Sequence, residues 1–167
     1  MLNRETIAKL RQMKLSGMAE SYERQIAEPS VHGLSFDERL GLMVDQEWLR
    51  RQNNKMSTLL KKAGFIDSSA AIEDIDYSAD RRLDRPLILE LACGNYISHA
   101  RNIIITGPTG AGKSYLAQAF GTSACRQKYS TRYVRLNDLV ETLLLEKEKG
   151  IKSFQKTRLS FEKVSLL

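Results

Sequence analysis

The stretch that decides the fold of this chain is Gly107, Pro108, Thr109, Gly110, Ala111, Gly112, Lys113, Ser114. It matches the pattern G-x-x-x-x-G-K-[ST] at each of its fixed positions. Glycines in such a loop let successive backbone N–H groups turn toward one anion, and the helix that follows directs its positive dipole end at the same point. The stretch therefore predicts a cradle for the phosphates of a nucleotide, which we extend by one residue to Tyr115.

Two side chains at the end of this loop have separate predicted roles. Lys113 can reach the β- and γ-phosphates as a point charge, and the Ser114 hydroxyl can ligate Mg²⁺. The alternative is a glycine-rich turn that carries Gly-Lys-Ser by chance. The surrounding sequence favours the nucleotide site, because a short apolar run precedes the loop and a helical stretch follows it.

The residues around the loop predict an α/β fold with a parallel sheet. Residues 102–106 contain three consecutive isoleucines, which is typical of a strand buried on both faces, and residues 131–135 predict a second strand. Helices are predicted from Lys113 to about Gln127 and from about Asn137 to Lys149, and a shorter one over 153–160. Strand, helix, strand and helix in this order indicate parallel pairing with right-handed crossovers.

Hydrolysis of a nucleotide also needs a carboxylate at the C-terminal end of a second strand, where it holds the Mg²⁺ shell. Five carboxylates follow the loop, and none has that position. Four fall on the helix predicted over residues 137–149 and one precedes the final apolar run: Asp138, Glu141, Glu146, Glu148 and Glu162. We therefore identify no catalytic residue.

The first hundred residues predict helices. Leu15, Met18, Tyr22 and Ile26 form one apolar stripe of an amphipathic helix, which the segment 29–33 interrupts.

A second N-terminal helix is predicted to begin at a capping box. Ser35 and Glu38 have the S-x-x-E spacing in which the two side chains satisfy first-turn N–H groups. The helix is predicted to reach about Lys62, with Gly64 as its stop. One face carries Leu40, Met43, Val44 and Trp48. For Trp48, at helical spacing with Val44, a place in the core is the simplest interpretation.

Composition and charge limit the classes of function. The chain has 167 residues, 42% of them hydrophobic, and its longest apolar runs are far shorter than the roughly 20 residues that span a bilayer. Two cysteines, Cys93 and Cys125, lie 32 residues apart without zinc-site spacing, so we expect a cytoplasmic protein, with Cys125 as a small buried side chain. The net charge of +6 suggests an anionic partner without choosing one.

Two basic segments are candidate contacts for DNA or a protein partner, and a solvated helix surface is the alternative for both. The first lies within 13 residues that contain no acid: Arg50, Arg51, Lys55, Lys61 and Lys62. The second follows the predicted nucleotide site: Lys147, Lys149, Lys152, Lys156, Arg158 and Lys163.

The chain resembles the IstB-like family of ATP-binding helper proteins of bacterial insertion sequences, which is akin to the DnaC helicase loader within the AAA+ ATPases. The resemblance covers nearly the whole chain. It rests on residues 10–19, on residues 34–48, on residues 73–77 and on residues 102–114. The N-terminal segments are distinctive, whereas the glycine-rich loop alone would indicate only a nucleoside triphosphatase.

The resemblance implies an AAA+ fold that binds ATP and Mg²⁺, forms an ATP-dependent homo-oligomer, binds DNA and assists a transposase in selecting its target. By position, Gly107–Ser114 would be the Walker A loop. The implied organisation is a helical N-terminal region over 1–66, a linker and helix over 67–100, and the first part of the ATPase domain over 101–167.

Family members continue from the equivalent of residues 164–167 into an acidic Walker B pair. We therefore expect a parallel-sheet core that is incomplete at the C-terminus, in a truncated form that binds ATP without hydrolysing it efficiently. Three alternatives remain open at this point: a helicase loader in DNA replication, a vestigial fragment without function, and a small P-loop kinase. The kinase is disfavoured because about 100 residues precede the loop.

Overall fold

The computed structural model describes residues 2–28, 31, 33–78 and 83–167. The sequence predicted a break at residues 29–33, between the two helices predicted in the N-terminal region. Three residues of this break, Pro29, Ser30 and His32, lie outside the described residues. The chain divides into two compact units, Met1–Lys55 and Met56–Leu167.

The described part of the first unit is helical. It contains α1 (Leu2–Gln12), α2 (Ser16–Ala27) and most of α3 (Phe36–Ala63). Arg11 on α1 forms an ion pair of 2.9 Å with Glu23 on α2. The amphipathic helix predicted from the apolar stripe before residues 29–33 is confirmed as α2, with Leu15 at its N-cap.

Helix α2 contacts the first part of α3 at two points, and the backbones lie very close at one of them. The contact begins at Gly17, where a Cβ atom would lie 2.9 Å from the Cα of Glu47. It ends at Gln25, whose side-chain amide donates to the Arg39 carbonyl over 2.8 Å. Because only glycine leaves room at the first of these points, the sequence of α2 determines how closely the two helices approach.

The predicted capping box at the start of α3 is confirmed. The Glu38 carboxylate accepts from the Ser35 backbone N–H over 2.8 Å, and the Glu38 N–H donates to the Ser35 hydroxyl over 3.3 Å. The bonds that the backbone N–H and the hydroxyl of Ser35 donate to the carboxylate hold the pKa of Glu38 below its ordinary value. The predicted stop is also confirmed, because α3 ends at Ala63 and Gly64 follows with a φ of +72°.

The expectation that Trp48 lies in the core is wrong. Its residue surface is 57% exposed, and Val44 on the same face is 49% exposed. The face of α3 that α2 covers carries polar residues instead, including Glu47, which hydrogen bonds to α2. Helical periodicity locates the apolar stripe of α3. The face that is buried is a neighbouring one, whose residues Arg39 and Glu47 form hydrogen bonds with α2.

Glu47 is the charged group at the centre of the first unit. Its carboxylate accepts from the Gly17 backbone N–H over 2.7 Å and from Arg51 Nε over 2.6 Å. Burial raises the pKa of Glu47, but the hydrogen bonds from Arg51, Gly17 and Met18 outweigh it and hold the pKa below its ordinary value of 4.5. The carboxylate therefore stabilises the folded state only while it is ionised.

We expect the Glu47→Gln variant to be less sensitive to acid than the wild-type chain. A carboxyl group with a lowered pKa in the folded state contributes stability above its ordinary pKa and loses it as the pH falls through the folded value. The free energy of unfolding, measured by urea titration and circular dichroism between about pH 7 and pH 3, should therefore fall more steeply for the wild type. Glu20→Gln, an exposed change on α2, is the control, and equal slopes for wild type and Glu47→Gln would contradict the prediction.

The described part of the second unit is built mainly from helices. After the end of α3 it contains a short 3₁₀ helix (Ile72–Asp74), α4 (Arg85–Ala92), α5 (Asn95–Ser98), α6 (Lys113–Arg126), α7 (Leu136–Glu148) and α8 (Ile151–Glu162). The helices predicted after the glycine-rich loop are confirmed as α6 and α7, and the shorter one beyond them as α8.

The core of the second unit forms around α6. Phe120 is 5% exposed and packs with buried side chains of the 3₁₀ helix and α4, Ile72 and Ile88. Its ring meets that of Tyr96 edge to face, with centroids 6.5 Å apart. At the next residue of α6, a Cβ atom on Gly121 would lie 2.6 Å from the Phe65 ring, so the absence of a side chain there lets α6 approach this aromatic residue.

The predicted α/β fold, an AAA+ core with a parallel sheet, is wrong for the structure observed here. Neither residues 102–106 nor residues 131–135 form a strand. Among the described residues, the parallel pairing found is one isolated bridge between Thr131 and Leu166. Ile104, predicted to be buried on both faces, is 86% exposed.

The sheet prediction failed because a β-branched run supplies only a local preference, whereas a strand needs hydrogen-bond partners from a distant segment. The apolar segments do lie near one another, with no strand pairing among the described residues beyond the bridge between Thr131 and Leu166. They line a cavity of about 560 Å³, to which Ile103, Ile105, Val134 and Leu166 contribute. These side chains therefore share an apolar environment, while their backbones make no regular ladder.

None of the helices in the described part of the chain has the length and apolar composition needed to cross a bilayer. Helix α3 has 28 residues, which is long enough, but it carries charged residues along its length.

Candidate nucleotide-binding site

The glycine-rich loop has a backbone that its glycines make possible. Gly110 and Gly112 have φ angles of +81° and +84°, in the left-handed region that residues with a side chain rarely adopt. Gly107, at +155°, lies at the edge of that region. A side chain at position 110 would meet no atom within 4 Å, so the need for glycine there is conformational and not a matter of space.

Helix α6 begins directly after the loop with its first-turn N–H groups uncapped by any described side chain. Gly112 occupies the N-cap position, and the first turn contains no acidic residue. The first N–H groups of an α-helix have no partner within the helix and carry the positive end of its dipole. The loop therefore leads into a helix end that is suited to an anion.

The side chain of Lys113 folds back across the loop. Its Nζ donates to the Pro108 carbonyl oxygen over 2.6 Å, and the residue is half-buried. The bond joins the first half of the motif to its end, so the ammonium group lies beside the backbone that was predicted to surround the phosphates. Ser114, the next residue, is exposed on the first turn of α6.

Gln118 holds the start of α6 to a segment that sequence reasoning did not connect with the site. It is 4% exposed, and its side-chain oxygen accepts from the backbone N–H groups of Ile66 and Asp67 over 2.7 and 2.9 Å. Its amide nitrogen donates to the Ser114 carbonyl over 3.1 Å. The available signal was weak: a glutamine one helical turn beyond Ser114, at a position where the helix is otherwise apolar.

Tyr115 also holds the first turn of α6 in place. Its hydroxyl donates to the Ala71 carbonyl over 3.3 Å and accepts from the Ala71 N–H over 3.4 Å. The ring packs against the core around Phe120. These contacts orient the first turn of α6 against residues 66–71.

Comparison with known proteins decides the family. The family model of IstB-like ATP-binding proteins matches residues 8–167. The chain belongs to the IstB-like ATP-binding family. The match includes both the helical first unit and the glycine-rich loop, so the family assignment does not depend on the loop alone.

Curated relatives of this IstB-like chain are named as ATP-binding proteins of insertion sequences. One from Pseudomonas fluorescens, named for insertion sequence IS1162, is 42% identical over the whole chain, which spans 71% of that relative. Two from Sinorhizobium fredii are 39% and 38% identical over 90% and 100% of the chain, which covers 61% and 66% of their lengths.

The four earlier carboxylates that follow the loop lie on a helix in this IstB-like chain, as predicted, and this helix is α7. Glu162, expected only to precede the final apolar run, is the last residue of α8. Glu146 accepts from Lys149 over 2.7 Å and from the Ser153 hydroxyl, and these bonds lower its pKa. Glu162 pairs with Arg158 over 3.0 Å. Both therefore serve local helix contacts.

The described residues contain no cluster of three or more His, Cys, Asp or Glu side chains that could hold a metal ion. The chemistry of Ser114 does fit Mg²⁺ that arrives with a nucleotide, because a hydroxyl oxygen at the start of a helix can complete a shell made mainly of phosphate and water oxygens. Cys125 is buried, as expected, and burial raises the pKa of its thiol.

In both basic segments of this IstB-like chain some side chains pair with glutamates, as Lys149 and Arg158 do in the second. In the first, Arg51 pairs with Glu47 over 2.6 Å, and Arg50 lies 4.0 Å from the same carboxylate. In the second, Lys152 and Lys156 are exposed on α8, and Lys163 is exposed at its C-cap. The spacing of i, i+4 and i+11 places these three lysines on one face of the helix.

Proposed function

We propose that this chain binds Mg-ATP at residues 107–115 and acts as an ATP-dependent helper of a transposase during the selection of target DNA. The observation that carries the proposal is the glycine-rich loop leading into the uncapped N-terminus of α6, in a chain of the IstB-like family. The names of its relatives, all referring to insertion sequences, favour transposition over helicase loading.

In the proposed complex, backbone N–H groups of the loop and of the first turn of α6 bind the phosphates. Lys113 exchanges its bond to the Pro108 carbonyl for a phosphate oxygen, a stronger charge-assisted contact. Ser114 supplies a hydroxyl oxygen to Mg²⁺. Gln118 and Tyr115 keep the start of α6 in position through their bonds to residues 66–71.

We further propose that ATP binding, and not rapid hydrolysis, is the activity of this chain. The support is the placement of the carboxylates that follow the loop, which lie on α7 and α8, where Glu146 and Glu162 are engaged with basic neighbours. In this proposal the bound nucleotide favours one conformation or assembly, to which a partner responds.

The test of the helper role is nucleotide-dependent association with the transposase of the same insertion sequence. The full chain is mixed with the purified transposase with and without Mg-ATP, and co-elution is measured by size-exclusion chromatography. We expect co-elution to increase with Mg-ATP for the wild type and not for Lys113→Ala. The ATP-dependent role would be contradicted if the wild type and Lys113→Ala co-eluted with the transposase to the same extent with and without Mg-ATP. Selective co-elution with a replicative helicase would instead favour a role as a helicase loader.

We expect the lysine face of α8 to contribute to DNA binding. Each phosphate neutralised by a basic side chain adds about 0.9 to the slope of log K against log salt for duplex DNA. The Lys152→Ala, Lys156→Ala, Lys163→Ala triple variant should lower that slope by about 2–3, as measured by fluorescence anisotropy over a salt series.

The matched control for this measurement removes three basic side chains from the same region, two of which are paired with glutamates: Lys147, Lys149 and Arg158. Its total charge equals that of the first variant. A slope change as large as that of the lysine-face variant would show that net charge, and not the face of α8, determines binding.

A further inference from the structure

Gln118 joins two parts of the second unit through both ends of one buried amide group. The residue is 4% exposed. Its side-chain oxygen accepts from the backbone N–H groups of Ile66 and Asp67 over 2.7 and 2.9 Å. Its side-chain nitrogen donates to the Ser114 carbonyl over 3.1 Å. The bonds at the two ends therefore polarise the amide in the same direction.

The carbonyl that Gln118 contacts belongs to the peptide group between Ser114 and Tyr115. The N–H of that peptide group is on Tyr115, in the first turn of α6, where N–H groups have no partner within the helix. Tyr115 is also the last residue of the predicted phosphate cradle. A phosphate oxygen that accepts from this N–H polarises the peptide group and makes the Ser114 oxygen a better acceptor.

These groups form a head-to-tail chain of hydrogen bonds, which we call the amide relay. The relay runs from the N–H groups of Ile66 and Asp67, through the Gln118 amide, to the Ser114–Tyr115 peptide group. In such a chain each bond strengthens its neighbours, and the low dielectric around a buried group such as the Gln118 amide strengthens the bonds further. A coupling of this kind acts equally in both directions.

We propose that Gln118 is a positioning residue that couples occupancy of the nucleotide site to residues 66–67. The proposal rests on the proposed Mg-ATP site and adds a way in which the bound state is signalled. Mg-ATP strengthens the bonds to Ile66 and Asp67 and orders both residues, and their ordering in turn favours Mg-ATP. Ile66 is 62% exposed, so the ordered segment lies where a partner can contact it.

Amide hydrogen exchange, followed residue by residue by NMR in the full chain, measures the amide relay directly. We expect saturating Mg-ATP to slow the exchange of the Ile66 and Asp67 N–H groups at least about fivefold. The Ser78 N–H is the internal control, because it lies outside the relay and donates to the Asp76 side chain over 2.8 Å. Its exchange should slow by less than about twofold.

The Gln118→Met variant removes both hydrogen-bonding ends of the amide. We expect it to abolish the nucleotide-dependent slowing at Ile66 and Asp67 and to raise the dissociation constant of Mg-ATP, measured by calorimetry, at least about fivefold. The matched control is Gln127→Met. Gln127 is an exposed glutamine at the C-cap of α6 that donates to the Ala92 carbonyl over 2.8 Å. Its loss should leave the dissociation constant within about twofold of the wild type.

The Gln118→Glu variant separates the coupling from the structural contact. At about pH 8 its carboxylate accepts from the two N–H groups but has no hydrogen to donate to the Ser114 carbonyl. Ile66 and Asp67 should therefore be protected without nucleotide, and Mg-ATP should add no further protection. A residue that only held the segment in place would leave the nucleotide response intact. The wild-type measurement needs no substitution, so it tests the relay whether or not both variants fold.

Two results would overturn the amide relay while leaving the nucleotide site in place. The first is Mg-ATP binding to the wild type, seen by calorimetry, without slower exchange at Ile66 and Asp67. The second is a Gln118→Glu variant that shows the same nucleotide-dependent slowing as the wild type. A wild type that binds no Mg-ATP is a different result, because it would refute the proposed function and the relay together.

Discussion

The Lys113→Ala variant is expected to lose Mg-ATP binding, with a dissociation constant raised at least about 100-fold. Lys113 is the basic side chain within residues 107–115, so its removal leaves the phosphate charge to backbone N–H groups and the helix dipole. Its Nζ lies 2.6 Å from the Pro108 carbonyl, which places the ammonium group at the loop before any ligand contact. The charge therefore needs little movement to reach a phosphate.

Isothermal titration calorimetry and thermal unfolding with and without Mg-ATP would measure this effect. A ligand at 100 times its dissociation constant stabilises the folded state by about 2.7 kcal/mol, so the wild type should unfold at a higher temperature in its presence. Lys147→Ala removes the same charge from the exposed surface of α7 and should bind as the wild type does. Equal affinity of the wild type and Lys113→Ala would contradict the proposed site.

The Phe120→Ala variant is expected to lower the free energy of unfolding of the second unit by about 3–5 kcal/mol. Phe120 is 5% exposed and contacts the buried side chains of the 3₁₀ helix and α4, and its ring meets that of Tyr96. Removing the ring deletes apolar contacts and leaves a cavity that the surrounding helices fill only partly. For a unit of this size, such a loss is a large share of the total stability.

Urea titration followed by circular dichroism would give the change. The control is Phe36→Ala, the same chemical change at a residue that is 74% exposed in the first unit, for which we expect less than about 1 kcal/mol. If both variants lost the same stability, the core around α6 would not be the structural centre of the second unit. Because Phe120 lies on the helix that follows the glycine-rich loop, Phe120→Ala should also weaken Mg-ATP binding.

Features that depend on near neighbours in the chain were predictable from the sequence. The capping box needs only Ser35 and Glu38, three residues apart, and it formed as predicted. The extent of α3 followed from this start and from the glycine at 64. The positive φ angles of Gly110 and Gly112 are likewise local, because only the missing side chain permits them at low cost.

Features that depend on distant partners were not predictable. Residues 102–106 have the composition of a strand, but a strand forms only where another segment accepts its hydrogen bonds, and Ile104 is instead exposed. The prediction that Trp48 lies in the core failed for a similar reason. Its stripe has helical period, but the hydrogen bonds between Glu47 and α2 turned a different face of α3 inward.

The sequence by itself determined the family, the helices α2, α3, α6, α7 and α8, and the loop with its lysine and serine. Each of these follows from residues close together in the chain. The tertiary structure decided which faces of those helices are buried, that Gln118 joins the start of α6 to residues 66–67, and that the isoleucine run forms no sheet in this chain. These outcomes required long-range contacts, whose free energy depends on the position of a partner and not on the local pattern.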